Sequence, residues 1–366
     1  MAVGRGGQNC GAAMITEYAS VRVLSWDCLV SVGGRAGNAA AAWAAVRDGR
    51  CGLVQRDGLW CGPVPGWDGV DRLAEMAVAA SARPWAVIGG RGAADAGRVA
   101  LAFGDPKGDC PRWACLGETL GGMLGDVRGG IGDDIGADFS LMWPGGISAR
   151  VARGLGLPAT CWPCPVAGAC STGLIAVMAA ADLIEGGYCR AGLAGAADAG
   201  LTPLVLAGFA ALGVLCGEVR PGTAGCVGFA PAEGAGCVAL ARGAGMADGW
   251  RLRAGFRYAD ASHPTRCADV GVLRAGLAGL WEWGAPDAIV VHGTGTVAGE
   301  AYERAALDAG PWRSVPRVAC KAVLGHHLGA SAAVELAIGL EMPVGRFWKL
   351  SQGFGGHVAG VMCERG

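Results

Sequence analysis

The stretch Pro165-Val166-Ala167-Gly168-Ala169-Cys170-Ser171-Thr172-Gly173, continued by the uncharged run Leu174-Ile175-Ala176-Val177-Met178-Ala179-Ala180-Ala181, decides how the chain is read. Residues 165–169 read as a short strand. A helix follows to Ile184, stopped by Gly186-Gly187, with apolar residues on nearly every face, the pattern of a helix buried all round. Working outward, residues 21–32, 99–103, 191–196, 236–240, 288–292 and 317–322 are short apolar runs of the kind found in a covered sheet. Residues 38–47, centred on Trp43, and 72–80 and 148–155 read as helices, the last ended by Gly156 with Pro158 just beyond it. Residues 110–136 are Gly-rich and weakly patterned, and are read as helix fragments and loop. Strands alternating with helices predict an α/β fold. Pro221, Gly222 and Gly225 mark a junction, dividing the chain into residues 1–225 and 226–366.

Composition excludes several classes. The chain has 366 residues, 52% hydrophobic and 17% charged, too long for one small core and too apolar for disorder. A net charge of −1 without blocks of like charge lacks the footprint of a nucleic-acid binder. The mean hydropathy of +0.37 raises the question of a membrane span. Residues 154–181 and 199–217 are long enough, but prolines interrupt both, so buried core segments are predicted there rather than spanning helices. Residues 1–12 hold no apolar core of signal-peptide length, so a cytoplasmic protein is expected. Sixteen cysteines in such a chain read as reduced, buried thiols. The Cys161-Trp162-Pro163-Cys164 spacing is that of a redox pair, but mid-chain and Cys-rich surroundings favour coincidence, and neither the cysteines nor the five histidines fall at zinc-ligand spacing. Lysine is scarce: only Lys107, Lys321 and Lys349, against 27 arginines, so a surviving lysine merits attention.

Cys170 opens the buried helix, where unsatisfied N–H groups and the macrodipole favour a thiolate and can stabilise an oxyanion. Taken by itself, a structural buried thiol is the commoner reading. Val291-His292-Gly293-Thr294-Gly295-Thr296 ends a second strand, its glycines allowing a tight loop that exposes the imidazole, its threonines offering hydroxyls. Lys321-Ala322-Val323-Leu324-Gly325-His326-His327 follows a third apolar run, with Glu335 on the next helix. Gly353-Phe354-Gly355-Gly356 can bring backbone N–H groups close to a substrate. Two glycine-flanked histidines at strand ends, with a helix-opening cysteine upstream, suggest nucleophilic catalysis.

These four segments, in this order, resemble the β-ketoacyl synthases of the thiolase superfamily. Leu201-Thr202-Pro203 and the run from Gly228 to Gly236 are similar to further landmarks of that family, and the resemblance spans roughly residues 18 to 363. It implies a thiolase-like fold: two similar α/β halves packed as a five-layered αβαβα sandwich, usually dimeric. Cys170 then matches the acyl-accepting nucleophile, and His292 and His326 the pair assisting malonyl decarboxylation. Lys321 and Glu335 match a supporting charged pair. Thr294 and Thr296 match contacts to the pantetheine arm. Phe354 matches a gate, with its N–H and that of Cys170 forming the oxyanion hole, and Gly355 adds to substrate binding. No metal or redox cofactor is implied; substrates arrive on the phosphopantetheine of acyl carrier protein.

The implied activity is acyl transfer to Cys170 followed by decarboxylative Claisen condensation with a malonyl-carrier-protein extender, in fatty acid or polyketide biosynthesis. Departures from the pattern are His357-Val358 where the family generally has Thr-Asn, Gly299-Glu300 after the threonine motif (with Glu303 matching the acidic residue further on), and a short segment from Leu340 to Gln352. They touch the substrate channel, carrier docking and the dimer interface. Two other readings stand beside the first. One is a non-elongating, chain-length-factor-like partner in a ketosynthase heterodimer. The other is an acyltransferase passing its acyl group to a small molecule. Expected partners are acyl carrier protein and a second subunit, identical or ketosynthase-like.

Overall fold

The structure, a computed structural model, describes residues 14–90, 98–123, 143–243, 249–263 and 265–366. The targeting region at residues 1–12 and the later part of the 110–136 segment lie outside the described residues.

Ten principal strands carry the fold. The first five are β1 (Val21–Val32), β2 (Val99–Gly104), β3 (Trp162–Pro165), β4 (Ala191–Asp198) and β5 (Gly234–Arg242). The second five are β6 (Trp250–Ala259), β7 (Ala288–Val290), β8 (Arg317–Val318), β9 (Arg346–Gly353) and β10 (His357–Arg365). The spatial order is β1-β5-β4-β2-β3 in one set and β6-β10-β9-β7-β8 in the other. In each set the successive pairings are antiparallel, antiparallel, parallel, parallel. The same order with the same strand directions, twice, is an internal repeat. The repeats join where β1 meets β6 through Val23–Trp250 and Arg22–Arg251. Strand β5, after residue 225, closes the first set, so by strand order the repeats turn over between Arg242 and Trp250 rather than at 225/226.

Successive residues of the central strands enter different cores, as the two-residue period of a doubly covered strand requires. In β2, Leu101 and Phe103 pack outward against helices α2 (Arg72–Gly90) and α4 (Gly146–Leu155), the latter preceded by α3 (Cys110–Met123). Ala100 and Ala102 face inward, toward α5 (Thr172–Glu185) and α9 (Ser331–Glu341), the core shared with α1 (Ala39–Asp48). In β9, Phe347 faces that central core, while Trp348 and Leu350 face α7 (Val270–Glu282) and α8 (Val297–Leu307). The layers are therefore α2/α4, first sheet wing, α5/α9, second sheet wing, α7/α8: the five-layered arrangement expected. The central helices cross closely at Gly173, where a Cβ would lie 2.6 Å from the backbone nitrogen of Ala333.

Several local expectations need correcting. The strand expected at 165–169 is shifted upstream to Trp162–Pro165, because the following residues are taken up by the turn that presents Cys170. Pro163 and Pro165 fit there because β3 is an edge strand, where a missing N–H costs no ladder bond. The expected strand at 317–322 ends at Val318, and Lys321–Leu324 form a single helical turn. Helix α2 runs past Ala80 and through Pro84, drawn on by Ile88, which is buried in the outer core. Residues 110–123 form one helix. Among the described residues no helix is long and apolar enough to cross a membrane. The uncharged run at 199–217 is core only at its ends, where Ala199 and Cys216 are buried: its helix α6 (Pro203–Ala211) buries none of its residues, and Leu204 is 77% and Leu212 61% exposed.

Candidate active site

Cys170 sits in a 3₁₀ turn (Ala169–Ser171) immediately before α5. Ala169 holds a left-handed backbone (φ 48°), a conformation costing roughly 1–3 kcal/mol in a non-glycine residue. Thr172 fixes it: its Oγ1 accepts from Gly168 N (2.9 Å) and donates to Ala169 O (2.7 Å). The second repeat has the same device, a 3₁₀ turn (Leu328–Ala330) with Leu328 at φ 47°, immediately before α9. The two turns pack together. Aligned on this turn, Gly329 is the counterpart of Cys170.

A cavity of about 240 Å³ opens on Cys170, walled by Lys107, Phe209, Leu328, Gly329, Phe354 and His357 among others. Strand β9 packs against the Cys170 turn. Ser351 Oγ donates to Cys170 O (3.2 Å), and a Cβ on Gly353 would lie 2.7 Å from Gly168 O and 3.2 Å from Cys170 N. Only glycine permits that approach, which brings the chain leading to Phe354 against the Cys170 amide. Phe354, 43% exposed, stands at the cavity wall, and Gly355 follows it in the turn without lining the cavity. Helix α5 begins at Thr172, beyond the sulfur, and burial outweighs its pull: the Cys170 thiol is pushed up to about 11, against the opposing fields of Lys107 and Lys321. The lowered thiol expected from the helix terminus is corrected accordingly.

His292 and His326 meet edge to face, ring centroids 5.8 Å apart at 86°. The His292 loop is clamped from below: Glu303 accepts from His292 N (2.7 Å) and Gly293 N (2.8 Å), and Glu300 from Gly295 N (2.9 Å). Lys321 Nζ donates to His292 O (2.5 Å) and pairs with Glu335 (2.6 Å), whose other oxygen takes Lys349 (2.5 Å). Lys321 thus steadies the His292 backbone, not its ring. His326 Nδ1 lies 2.7 Å from Ser331 Oγ, and its ring stands on edge to Phe229 (4.9 Å), which in turn meets Phe209 (5.5 Å) of the Cys170 cavity. Burial first, then the Lys321 charge, holds both imidazoles well below 6.5, so both are neutral at pH 7. Burial works against the Glu335 charge, yet Lys321 and Lys349 hold its carboxyl below the usual range.

The structure thus brings His292, His326, Lys321 and Glu335 into one buried network and places Cys170 and Phe354 on one cavity. The histidines do not line that cavity; Phe229 and Phe209 connect the two groups. Thr294 and Thr296 bond to each other (3.0 Å), and Thr296 caps α8 by accepting from Gly299 N (3.2 Å); neither reaches the cavity wall. Lys107 and Lys349 carry no motif and were not singled out as site residues. Their signal was scarcity: all three lysines of the chain stand at this site.

The fold has counterparts among known ketosynthase structures. Residues 133–244, which include Cys170 but neither histidine, match the family model for the Beta-ketoacyl synthase, N-terminal domain. No curated protein matches the sequence. The chain is similar in structure to the ishigamide ketosynthase/chain length factor (TM-score 0.77, 22% identity, covering 95% of this chain and 99% of that one). It is similar to a Beta-ketoacyl synthase from Burkholderia phymatum STM815 (0.74, 19%, 96% and 100%). It is also similar to a chain of AntDE:AntF, a type II PKS acyl-carrier protein in complex with its ketosynthase (0.74, 19%, 95% and 100%). As the four motifs implied, the chain shares the fold of these ketosynthase and chain length factor structures.

Proposed function

We propose that the protein is a condensing enzyme of the ketosynthase type, an acyltransferase working on carrier-bound acyl groups in polyketide or fatty acid synthesis. The observation that carries this reading is the pair of neutral imidazoles, His292 and His326, held in register by Lys321, Glu335, Lys349 and Ser331 beside a cavity that opens on Cys170. The Cys170 sulfur attacks the thioester carbonyl of an acyl-phosphopantetheine. The developing oxyanion lies between the N–H groups of Cys170 and Phe354, donors that need no reorganisation. The carrier thiol leaves and Cys170 holds the acyl group. A malonyl carrier then enters; loss of carbon dioxide leaves an enolate whose oxygen accepts from the two imidazoles, its carbon attacks the Cys170 thioester, the acyl carbon–sulfur bond breaks, the β-ketoacyl chain stays on the carrier, and the released Cys170 sulfur regains a proton from water. Neutral rings suit this step, since each can donate one N–H without first losing a proton. Thr294 and Thr296 hold the pantetheine arm nearer the surface, and Gly355 the acyl carbonyl side of the gate. Partners are acyl carrier protein and a second subunit.

Incubation with acyl carrier proteins of several chain lengths tests this: intact mass should gain one acyl group, lost in Cys170→Ala. A folded protein that gains none across the series would falsify the reading. A second reading, a non-elongating partner subunit, is favoured by the exposed apolar helix α6. It predicts co-purification with a longer ketosynthase and full activity of that complex carrying Cys170→Ala.

A further inference from the structure

Lys107 is the one lysine that the proposed chemistry leaves without a task. It follows β2 in the Pro106-Lys107-Gly108 loop, lines the same cavity as Cys170, and is 26% exposed. It pairs with Asp198 at the end of β4, and the same Asp198 oxygen accepts from Gly329 N (3.1 Å) in the second repeat's turn. The stem packs beside Gly200 and Leu328, and Asp198 Oδ1 is buried without a partner. The ammonium is thus fixed between the two turns that build the site.

We infer that Lys107 is a positioning residue whose charge, set on the wall of the Cys170 cavity, increases the share of the sulfur present as the reactive thiolate. The charged and titratable groups around that sulfur are Lys107 and Asp198 from the first repeat, Lys321 and Glu335 from the second, the Cys267 thiol and His357 on the cavity wall. His292 and His326 are neutral and contribute no charge. Of the charges, Lys107 pulls the thiol down most, and Asp198 opposes it less strongly. Burial works against the ammonium itself, but Asp198 more than compensates and keeps Lys107 protonated. On acylation the sulfur–carbon bond forms, the carrier's carbon–sulfur bond breaks, and the departing thiolate takes a proton from water, replacing the one Cys170 released. Lys107 keeps its own throughout.

The inference rests on Cys170 being the acyl acceptor, and the test separates the two. Alkylation of Cys170 by iodoacetamide, followed peptide by peptide between pH 7 and 9, should rise about tenfold per pH unit, as expected for a thiol whose thiolate is the minor form. Lys107→Met should lower that line on the order of tenfold. Lys107→Arg should bring it back to within about threefold. If Lys107→Met does not fold, K107M/D198N removes both charges of the pair and should still lie below wild type. A Lys107→Met line that overlays wild type, or a Lys107→Arg line that stays down with Lys107→Met, overturns the role of Lys107. The shifted lines without any acyl adduct leave Lys107 standing and remove the condensing reading. A native Cys170 that never alkylates, while the unfolded chain does, removes both.

Discussion

His327 offers a quantitative check on the electrostatics of the site. It is buried beside His326, with neither ring nitrogen in a hydrogen bond, and burial lowers its pKa from 6.5 to about 4. A lowered folded pKa means that the unfolded chain binds the extra proton first. The stability tied to this residue is therefore complete above about pH 6.5 and is lost as pH falls toward about 4. At pH 5 the folded imidazole is about one-tenth protonated while the unfolded one is almost fully so, a difference worth ~2 kcal/mol; at pH 8 it is near zero. Leucine at 327 carries no proton in either state. His327→Leu should thus gain ~2 kcal/mol on wild type between pH 8 and pH 5, whatever constant offset the new side chain adds. Urea unfolding of both proteins at the two pH values measures it. Asp105, pushed up by burial to about 7, and Glu335 titrate in both proteins and cancel in the comparison. A stability gap between variant and wild type that is the same at both pH values would refute the argument.

Ser331→Ala removes the one hydrogen-bond partner of His326 Nδ1 among the described residues, 2.7 Å away. Decarboxylation of malonyl carrier protein should fall about tenfold or more while Cys170 alkylation stays unchanged, seen by comparing carbon dioxide release with the alkylation rate. Gly353→Ala sets a methyl group 2.7 Å from Gly168 O and 3.2 Å from Cys170 N, backbone atoms that yield only by moving the nucleophile's turn. Acyl-enzyme formation should slow by roughly ten- to a hundredfold with the circular dichroism spectrum retained, measured by time-resolved intact mass.

What the sequence discloses here follows the range of the interactions involved. Helix α5, strands β2, β4 and β5 and the loops at His292 and Gly353 are set by local periodicity and turn chemistry, and they lie close to where those patterns put them. Strand order is a pairing of distant segments, and nothing local announces that β5 rather than an earlier segment closes the first repeat. Apolar composition predicted a buried segment at 199–217, yet α6 is exposed, because composition measures a preference for burial and not the presence of something to be buried against. The helix terminus at Cys170 argued for a lowered thiol, but burial acts on the full charge of the sulfur whereas the dipole supplies a partial one, and burial prevails. Lys349 lies in no motif; its place opposite Lys321 on Glu335 exists only once β9 and α9 have packed.

The repeat explains how one candidate site can arise where two similar halves meet. Each half ends a strand, makes a 3₁₀ turn with one left-handed residue, and starts a central helix; the two helices cross at Gly173 and Ala333, which presses the turns together. A nucleophile in both turns would place two sulfurs at one junction. Instead the second turn carries Gly329, where a Cβ would lie 2.4 Å from the Pro106 ring and whose N–H ties Asp198. One repeat thus gives up its side chain for close packing, and the other supplies the sulfur on the cavity. The histidines belong to the second repeat alone, His292 after β7 and His326 just before its turn, so Cys170 and the two imidazoles lie on opposite sides of the seam. Under the proposed reaction, a change that slides α5 along α9 alters their spacing without touching any of the three side chains, which makes the Gly173–Ala333 crossing a determinant of the proposed chemistry.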